Sequence, residues 1–243
     1  LGDPYIAPLD THKLNFANST LVESESLAVG YLANTGSPAQ TRIFSERKEP
    51  RDFLFADAYD YYITDPQNAQ YYNTKIPYTN VMYTTMGGSE SKNERLKGTL
   101  TMNFGPKINV GGDLDYIYSR GYYKNNGNKL LSYRLFGSYK SDRYEAHAYL
   151  SNFNFINYEN GGLANDSVIT NPDQYFAGER NQDDPKAFNT RYPVKAWNRV
   201  RGKQYFLSHH YNLGFERELE EEVDTLGNPV KVFIPVSSII HTL

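Results

Sequence analysis

Asp113 and Asp115 stand two residues apart in "NVGGDLDYIY", with Lys97 and Asn103 in the alternating stretch just before them. Carboxylates at i and i+2 share one face of a strand. Such a pair can act as acid and base, or as fixed charge along an aqueous path. Nothing around it in sequence supplies a nucleophile or a pocket, so acid–base catalysis has no support. His209 and His210 are adjacent and on a strand point to opposite faces, so they cannot chelate one ion together; His147 approaches His210 only if the strand register permits. The sequence has no cysteine, no Walker loop, no dinucleotide fingerprint, no G-x-S-x-G and no zinc-protease helix motif. The expectation is a protein that is not an enzyme, with no catalytic residue, metal or cofactor, whose charged pair lines a passage.

The element that carries the pair is unusually regular. In "LKGTLTMNFGPKINVGGDLDYIY", Leu96, Leu100, Met102 and Phe104, then Ile108, Val110, Leu114, Tyr116 and Tyr118, occupy even positions. Lys97, Thr99, Thr101, Asn103, Asn109, Asp113 and Asp115 occupy odd ones, and only Ile117 is out of place. Period-two alternation predicts two strands, each with one apolar and one polar face. The intervening "GPK" predicts a hairpin that pairs Phe104 with Ile108, Met102 with Val110, Leu100 with Gly112 and Leu96 with Tyr116.

The same pattern recurs downstream. "LLSYRLFGSYK" places Tyr133, Leu135 and Tyr139 on one face and Ser132, Arg134 and Ser138 on the other. "YEAHAYLSN" does so with Tyr144 and Leu150 against Glu145 and His147, and a turn at "KSDR" predicts Tyr139 opposite Tyr144. "KQYFLSHHYNLGFERE" sets Leu207, Leu213 and Phe215 against Gln204, Ser208 and His210, and "VKVFIPVSSIIHTL" reads as a further strand. Upstream, "TRIFSERKEPRDFLFADAYDYYI" reads as two strands and "PYTNVMYTTMGG" as another; residues 1–40 form a segment of uncertain structure containing early strands at most. Residues 41–243 then read as one strand-rich unit with a long Asn-, Asp-, Gly- and Pro-rich loop at about 152–202.

Composition narrows the setting. The chain has 22 tyrosines and 13 phenylalanines but a mean hydropathy of −0.66. Tyrosine suits both strands and membrane interfaces. A transmembrane barrel needs only alternate residues apolar, so a hydrophilic average is compatible with one. Strands of about 9–11 residues cross a bilayer when tilted, and alternating short and long connections fit the two ends of such a barrel. The formal net charge of −3 offers no general basic field for nucleic acid.

The segments "FLFADAYDYY", "YYNTKIPYTNVMYTT", "GDLDYIYSRGYYKN", "LFGSYKSDRYEAHAYLSNFNFINYENGG" and "FIPVSSIIHTL" resemble the putative porin family of outer-membrane β-barrels from Bacteroidota. The resemblance implies an all-β fold, an antiparallel transmembrane barrel built as a meander of long hairpins, and a porin-like role in passive transport of small polar solutes or ions. Against that family the chain reads as the amino-terminal part of a larger barrel. Outer-membrane lipids, and other outer-membrane or surface proteins, are then the expected partners. The polar positions named above become pore lining, and the apolar and tyrosine positions become lipid-facing or interfacial. The alternatives are a structural or docking barrel with an occluded lumen and, from another class, a soluble carbohydrate-binding β-sandwich.

Overall fold

The computed structural model describes residues 28–31, 34–88, 91–171, 190–192, 194, 196–223 and 229–243. Its main element is a seven-stranded antiparallel meander. The strands are β3 (Tyr78–Gly87), β4 (Lys92–Phe104), β5 (Ile108–Arg120), β6 (Gly127–Lys140), β7 (Tyr144–Glu159), β8 (Ala196–Val223) and β9 (Pro229–Thr242), each paired with its sequence neighbours. Among the described residues the sheet is not closed on itself, and β3 and β9 form its two edges. Two short strands, β1 (Val29–Tyr31) and β2 (Ala39–Thr41), make a separate ladder. No helix among the described residues is long and apolar enough to cross a membrane.

The β4–β5 hairpin has the register its alternation predicts: Phe104 opposes Ile108, Met102 opposes Val110, Leu100 opposes Gly112 and Leu96 opposes Tyr116. The next hairpin corrects the expectation by two residues, with Tyr139 opposing Ala146 rather than Tyr144. The turn is centred one residue later, between Asp142 and Arg143. Ser141 N–H donates to Tyr144 O at 2.8 Å and the Ser141 hydroxyl donates to the same oxygen at 3.1 Å, leaving only Asp142 and Arg143 at the tip. A two-residue slip preserves both faces, and the Tyr139 and Tyr144 rings still meet diagonally at 5.9 Å.

Two other expectations are overturned. Strand pairing continues through Glu159 and resumes at Ala196, so the long connection is shorter than 152–202. The stretch read as two strands from Thr41 to Ile63 instead leaves β2 at Thr41 and coils in 3-10 turns at Phe44–Glu46 and Leu54–Tyr62. Its buried residues Ala56, Tyr59 and Tyr62 recur every third position, and a 3-10 helix, with three residues per turn, stacks that set along one face. Residues 1–27, most of the segment expected to be uncertain, lie outside the described residues.

Candidate functional site on the covered face of the sheet

The two faces of the sheet differ in what lies over them. One is bare, and its side chains include Leu100, Leu114, Leu135, Leu150 and Phe215, all exposed. Leu96, Val110, Phe104, Tyr133, Leu207 and Leu213 are exposed on this same face, and Met102, Tyr116, Tyr118, Tyr139 and Tyr144 are partly so. The other face is covered by residues 34–74, which run along it before β3 begins. Lys97, Thr99, Thr101, Asn103, Asn109, Asp113, Asp115, Ser132, Arg134, Ser138, Glu145, His147, Gln204, Ser208 and His210 all belong to this covered face by their pairing.

Rows of directly opposed residues organise the covered face. Ile117, Leu130, Phe155 and Val200 oppose one another in turn across β5, β6, β7 and β8, making an apolar row within a polar face. All four are buried, and with Phe153 they form a core with Ala56, Tyr59, Tyr62 and Ile63 of the covering segment. Tyr59 and Tyr62 meet the Phe155 ring with centroids 5.3 and 6.4 Å apart.

Farther down, Gly111, Phe136, Tyr149 and Phe206 form a second, aromatic row. Gly111 is required there, because a Cβ would lie 2.4 Å from Phe136 Cζ. Gly202 is required beside Phe153 for the same reason, with 2.5 Å to the ring. Each glycine lets an aromatic ring lie flat over the neighbouring strand. Tyr71 packs edge-on against Phe136 at 6.0 Å and against His147 at 4.7 Å, while Tyr72 lies 5.7 Å from Phe136.

Between these rows lie the charges. Asp113 is not a free carboxylate: Arg134 Nε donates to its Oδ2 at 2.8 Å and Thr99 Oγ1 donates to its Oδ1 at 2.9 Å. Asp115 accepts from Arg95 through Nε at 3.0 Å and Nη2 at 2.5 Å, a two-pronged pair. The carboxylates expected to act as open charge are thus each neutralised across a strand boundary. Arg134 Nη2 also donates to Gln70 O at 3.1 Å, and Asn103 Nδ2 to Asn73 Oδ1 at 2.7 Å, so the covering segment is hydrogen-bonded to the sheet as well as packed on it.

The covering segment holds its own ionic knot. Arg51 hydrogen-bonds Asp60 and, at 2.6 Å, Asp65, while Lys48 lies 2.8 Å from Asp60. Burial alone would raise the Asp60 carboxyl, but Lys48 and Arg51 outweigh it and hold the group below the usual carboxylate range. Burial would lower the Arg51 guanidinium, and its bonds to Asp60 and Asp65 again prevail and raise it. Burial pushes the Tyr59 phenol up to about 12.

The histidines separate as adjacency on a strand requires. His210 opposes Glu145 on the covered face, whereas His209 points to the bare face and lies 3.2 Å from His241. His147 opposes Ser208, one position diagonal to His210. Among the described residues no three His, Asp or Glu side chains are grouped as a metal site.

Sequence reasoning missed Arg95, the two apolar rows and the tyrosines that cover them. The available signal was Ile117: its partners Leu130, Phe155 and Val200 break the alternation in the same way, and pairing brings the exceptions into line.

A family model described as putative porin matches residues 1–243, the whole chain. No curated protein and no solved structure matches it.

Proposed function

The chain belongs to the putative porin family, and from that premise we propose that it builds the wall of an outer-membrane channel through which small polar solutes or ions diffuse passively, the segment 34–74 lying within and narrowing the path. The observation that supports this most is the inversion of the sheet. Thr101 is 0 % exposed and Arg134 5 %, while Leu100 is 51 % and Leu135 57 % exposed. In water this arrangement is backwards, since apolar side chains gain by burial and polar ones lose by it. Around an aqueous lumen in lipid it is the expected one.

The drift of the apolar belt across the sheet gives further support. On β4 the outward apolar run from Leu96 to Phe104 is centred on Leu100, and the directly opposed row from Leu100 passes through Gly112, Leu135 and Leu150 to Tyr205. On β8 the outward run is Tyr205 to Phe215, centred at residue 210. From β4 to β6 the run keeps to this row, centred near Gly112 and at Leu135, and the drift of roughly five residues falls between β6 and β8; averaged over the four strand spacings, at about 3.3 Å per residue and 4.8 Å per strand, it is a slope of about 40°. That lies within the 35–45° strand tilt of transmembrane barrels. The connection 160–195 sits at the opposite end from the tight turns at 105–107 and 142–143, and by the usual asymmetry that end faces outward from the cell.

On this reading transport involves no chemical step. Selectivity follows from width and fixed charge, and since Asp113 and Asp115 are paired with Arg134 and Arg95, the lining carries little net charge there. The covering segment favours a second reading, a docking barrel with a closed lumen. Single-channel recording of the full-length protein in a planar bilayer separates them. Reproducible small current steps, growing when Tyr59→Ala and Tyr62→Ala loosen the segment, support the narrowed channel. Silence from inserted protein, persisting in that double variant, supports the docking barrel.

A further inference from the structure

We propose that the bare face carries, along its long-loop edge, a binding site for phosphate-bearing anionic lipid headgroups, centred on Arg199, Arg201 and Lys203. The proposal rests on the membrane reading above.

The three cations alternate on β8 immediately beyond Tyr205, where its outward apolar run ends. All three are exposed. The same change occurs farther along the sheet, beyond β7: Lys129 follows the outward Leu131 on β6, Arg120 follows Tyr118 on β5, and Lys92 lies one outward position past Glu94 on β4. Pairing aligns them, since Lys92 opposes Arg120, and Lys129 and Arg199 oppose Ile156 from its two sides. Among the described strand residues of this edge the acidic side chain on the bare face is Glu94, and it is held by Lys92 at 2.8 Å. At the other edge, by contrast, Arg143 is matched by Glu216 at 3.0 Å.

Arg199, Arg201 and Lys203 repeat every second residue, so their Cα atoms on this face are spaced by roughly 6–7 Å. Like charges on adjacent positions of one face repel, and an anion between them relieves the repulsion. The position sets which anion fits. Rising from Lys203 to Arg199, the trio spans about 13 Å of strand, or about 10 Å of depth at the tilt given above, directly over the apolar belt. A lipid phosphate ester lies at that level, beside its own acyl chains; a soluble anion has no such tether. The Trp197 ring, 5.0 Å from the Arg199 guanidinium, closes the outer side.

The test is electron spin resonance of the full-length protein in phosphatidylcholine vesicles, comparing association of spin-labelled phosphatidic acid with spin-labelled phosphatidylcholine. The expected result is a preference for phosphatidic acid of at least about ten-fold at low salt. It should weaken as salt rises and vanish in the triple variant Arg199→Glu, Arg201→Glu, Lys203→Glu. A triple glutamine variant, which keeps the side-chain length without the charge, should fall between the two. Parity in the wild type, or a preference unchanged by the triple reversal, overturns the site. Insertion is scored separately by protease protection and β-sheet circular dichroism. Protein that inserts and shows parity removes the headgroup site alone, while protein that never enters the vesicles removes the membrane reading with it.

Discussion

Tyr59 lies on Phe155 with ring centroids 5.3 Å apart, and this contact joins the covering segment to the middle of the apolar row on the sheet. Phe155 is 1 % exposed and opposed on either side by Leu130 and Val200. Replacing it with alanine removes a fully buried ring, a change that costs about 3–5 kcal/mol where surroundings cannot collapse. The expected outcome for Phe155→Ala is a lower unfolding midpoint with the β-sheet spectrum intact, and larger, noisier current steps as the segment loosens. Unchanged conductance with a lowered midpoint would leave the segment structural only.

Asp113 and Arg134 act as a unit. Asp113→Asn leaves a buried guanidinium with Gln70 O as its remaining strong acceptor, and because Asp113 is about a quarter exposed the cost is set at about 1–3 kcal/mol. The variant should also turn the channel toward anions, since a cation has lost its partner. Adding Arg134→Gln should return the reversal potential toward that of the wild type. Reversal potentials in a salt gradient, with denaturant midpoints, check both effects.

Asp60 makes the covering segment sensitive to acid. Its folded pKa is depressed, so its contribution is complete above the unfolded value of about 3.9 and is lost as pH falls through the lower folded value. Tyr59 works in the other direction: with a folded pKa near 12, its contribution is complete below about pH 10 and is lost as pH rises through 12. Hydrogen exchange over residues 44–65 should therefore be flat from pH 5 to about 9, after correction for intrinsic rates, and rise toward both extremes. Asp60→Asn should abolish the acid arm.

Much of this arrangement was legible in the sequence because period two is a geometric property of a strand. The hairpin at Phe104 and Ile108 could be registered to the residue, since one slip would have turned every leucine to the wrong face. The Tyr139 hairpin could not: a two-residue slip conserves faces, and the choice lay in a local hydrogen bond from the Ser141 hydroxyl. The stretch around "FLFADAYDYY" was misread because its aromatics satisfy strand propensity, and only the every-third spacing of Ala56, Tyr59 and Tyr62 distinguishes it. Asp113 and Asp115 were assigned to the correct strand face but not to their partners, because cross-strand pairing with Arg134 and Arg95 depends on register and rotamer together.

The slope of the apolar belt can be measured directly. With Trp197 first changed to Phe, single tryptophans placed at the bare-face positions Leu100, Tyr205 and Tyr211 should be quenched by depth-graded brominated lipids in a set order. Leu100 and Tyr211 should lie near the midplane, and Tyr205, although it continues Leu100's own row, nearer the surface than Leu100 by about 13 Å. Equal depth at Leu100 and Tyr205 would mean untilted strands and would contradict a barrel.

The most direct test of the account is a spin-label scan of β5, Ile108–Arg120, in the full-length protein in lipid; the chain has no cysteine to remove. Accessibility to oxygen, which concentrates in acyl chains, should alternate with maxima at Val110, Leu114 and Tyr116. Ile117, apolar but set against the covering segment at 1 % exposure, should be a minimum like Asp113 and Asp115. A maximum at Ile117 with minima at Leu114 and Tyr116, or no alternation at all, would contradict the assignment of the bare face to lipid.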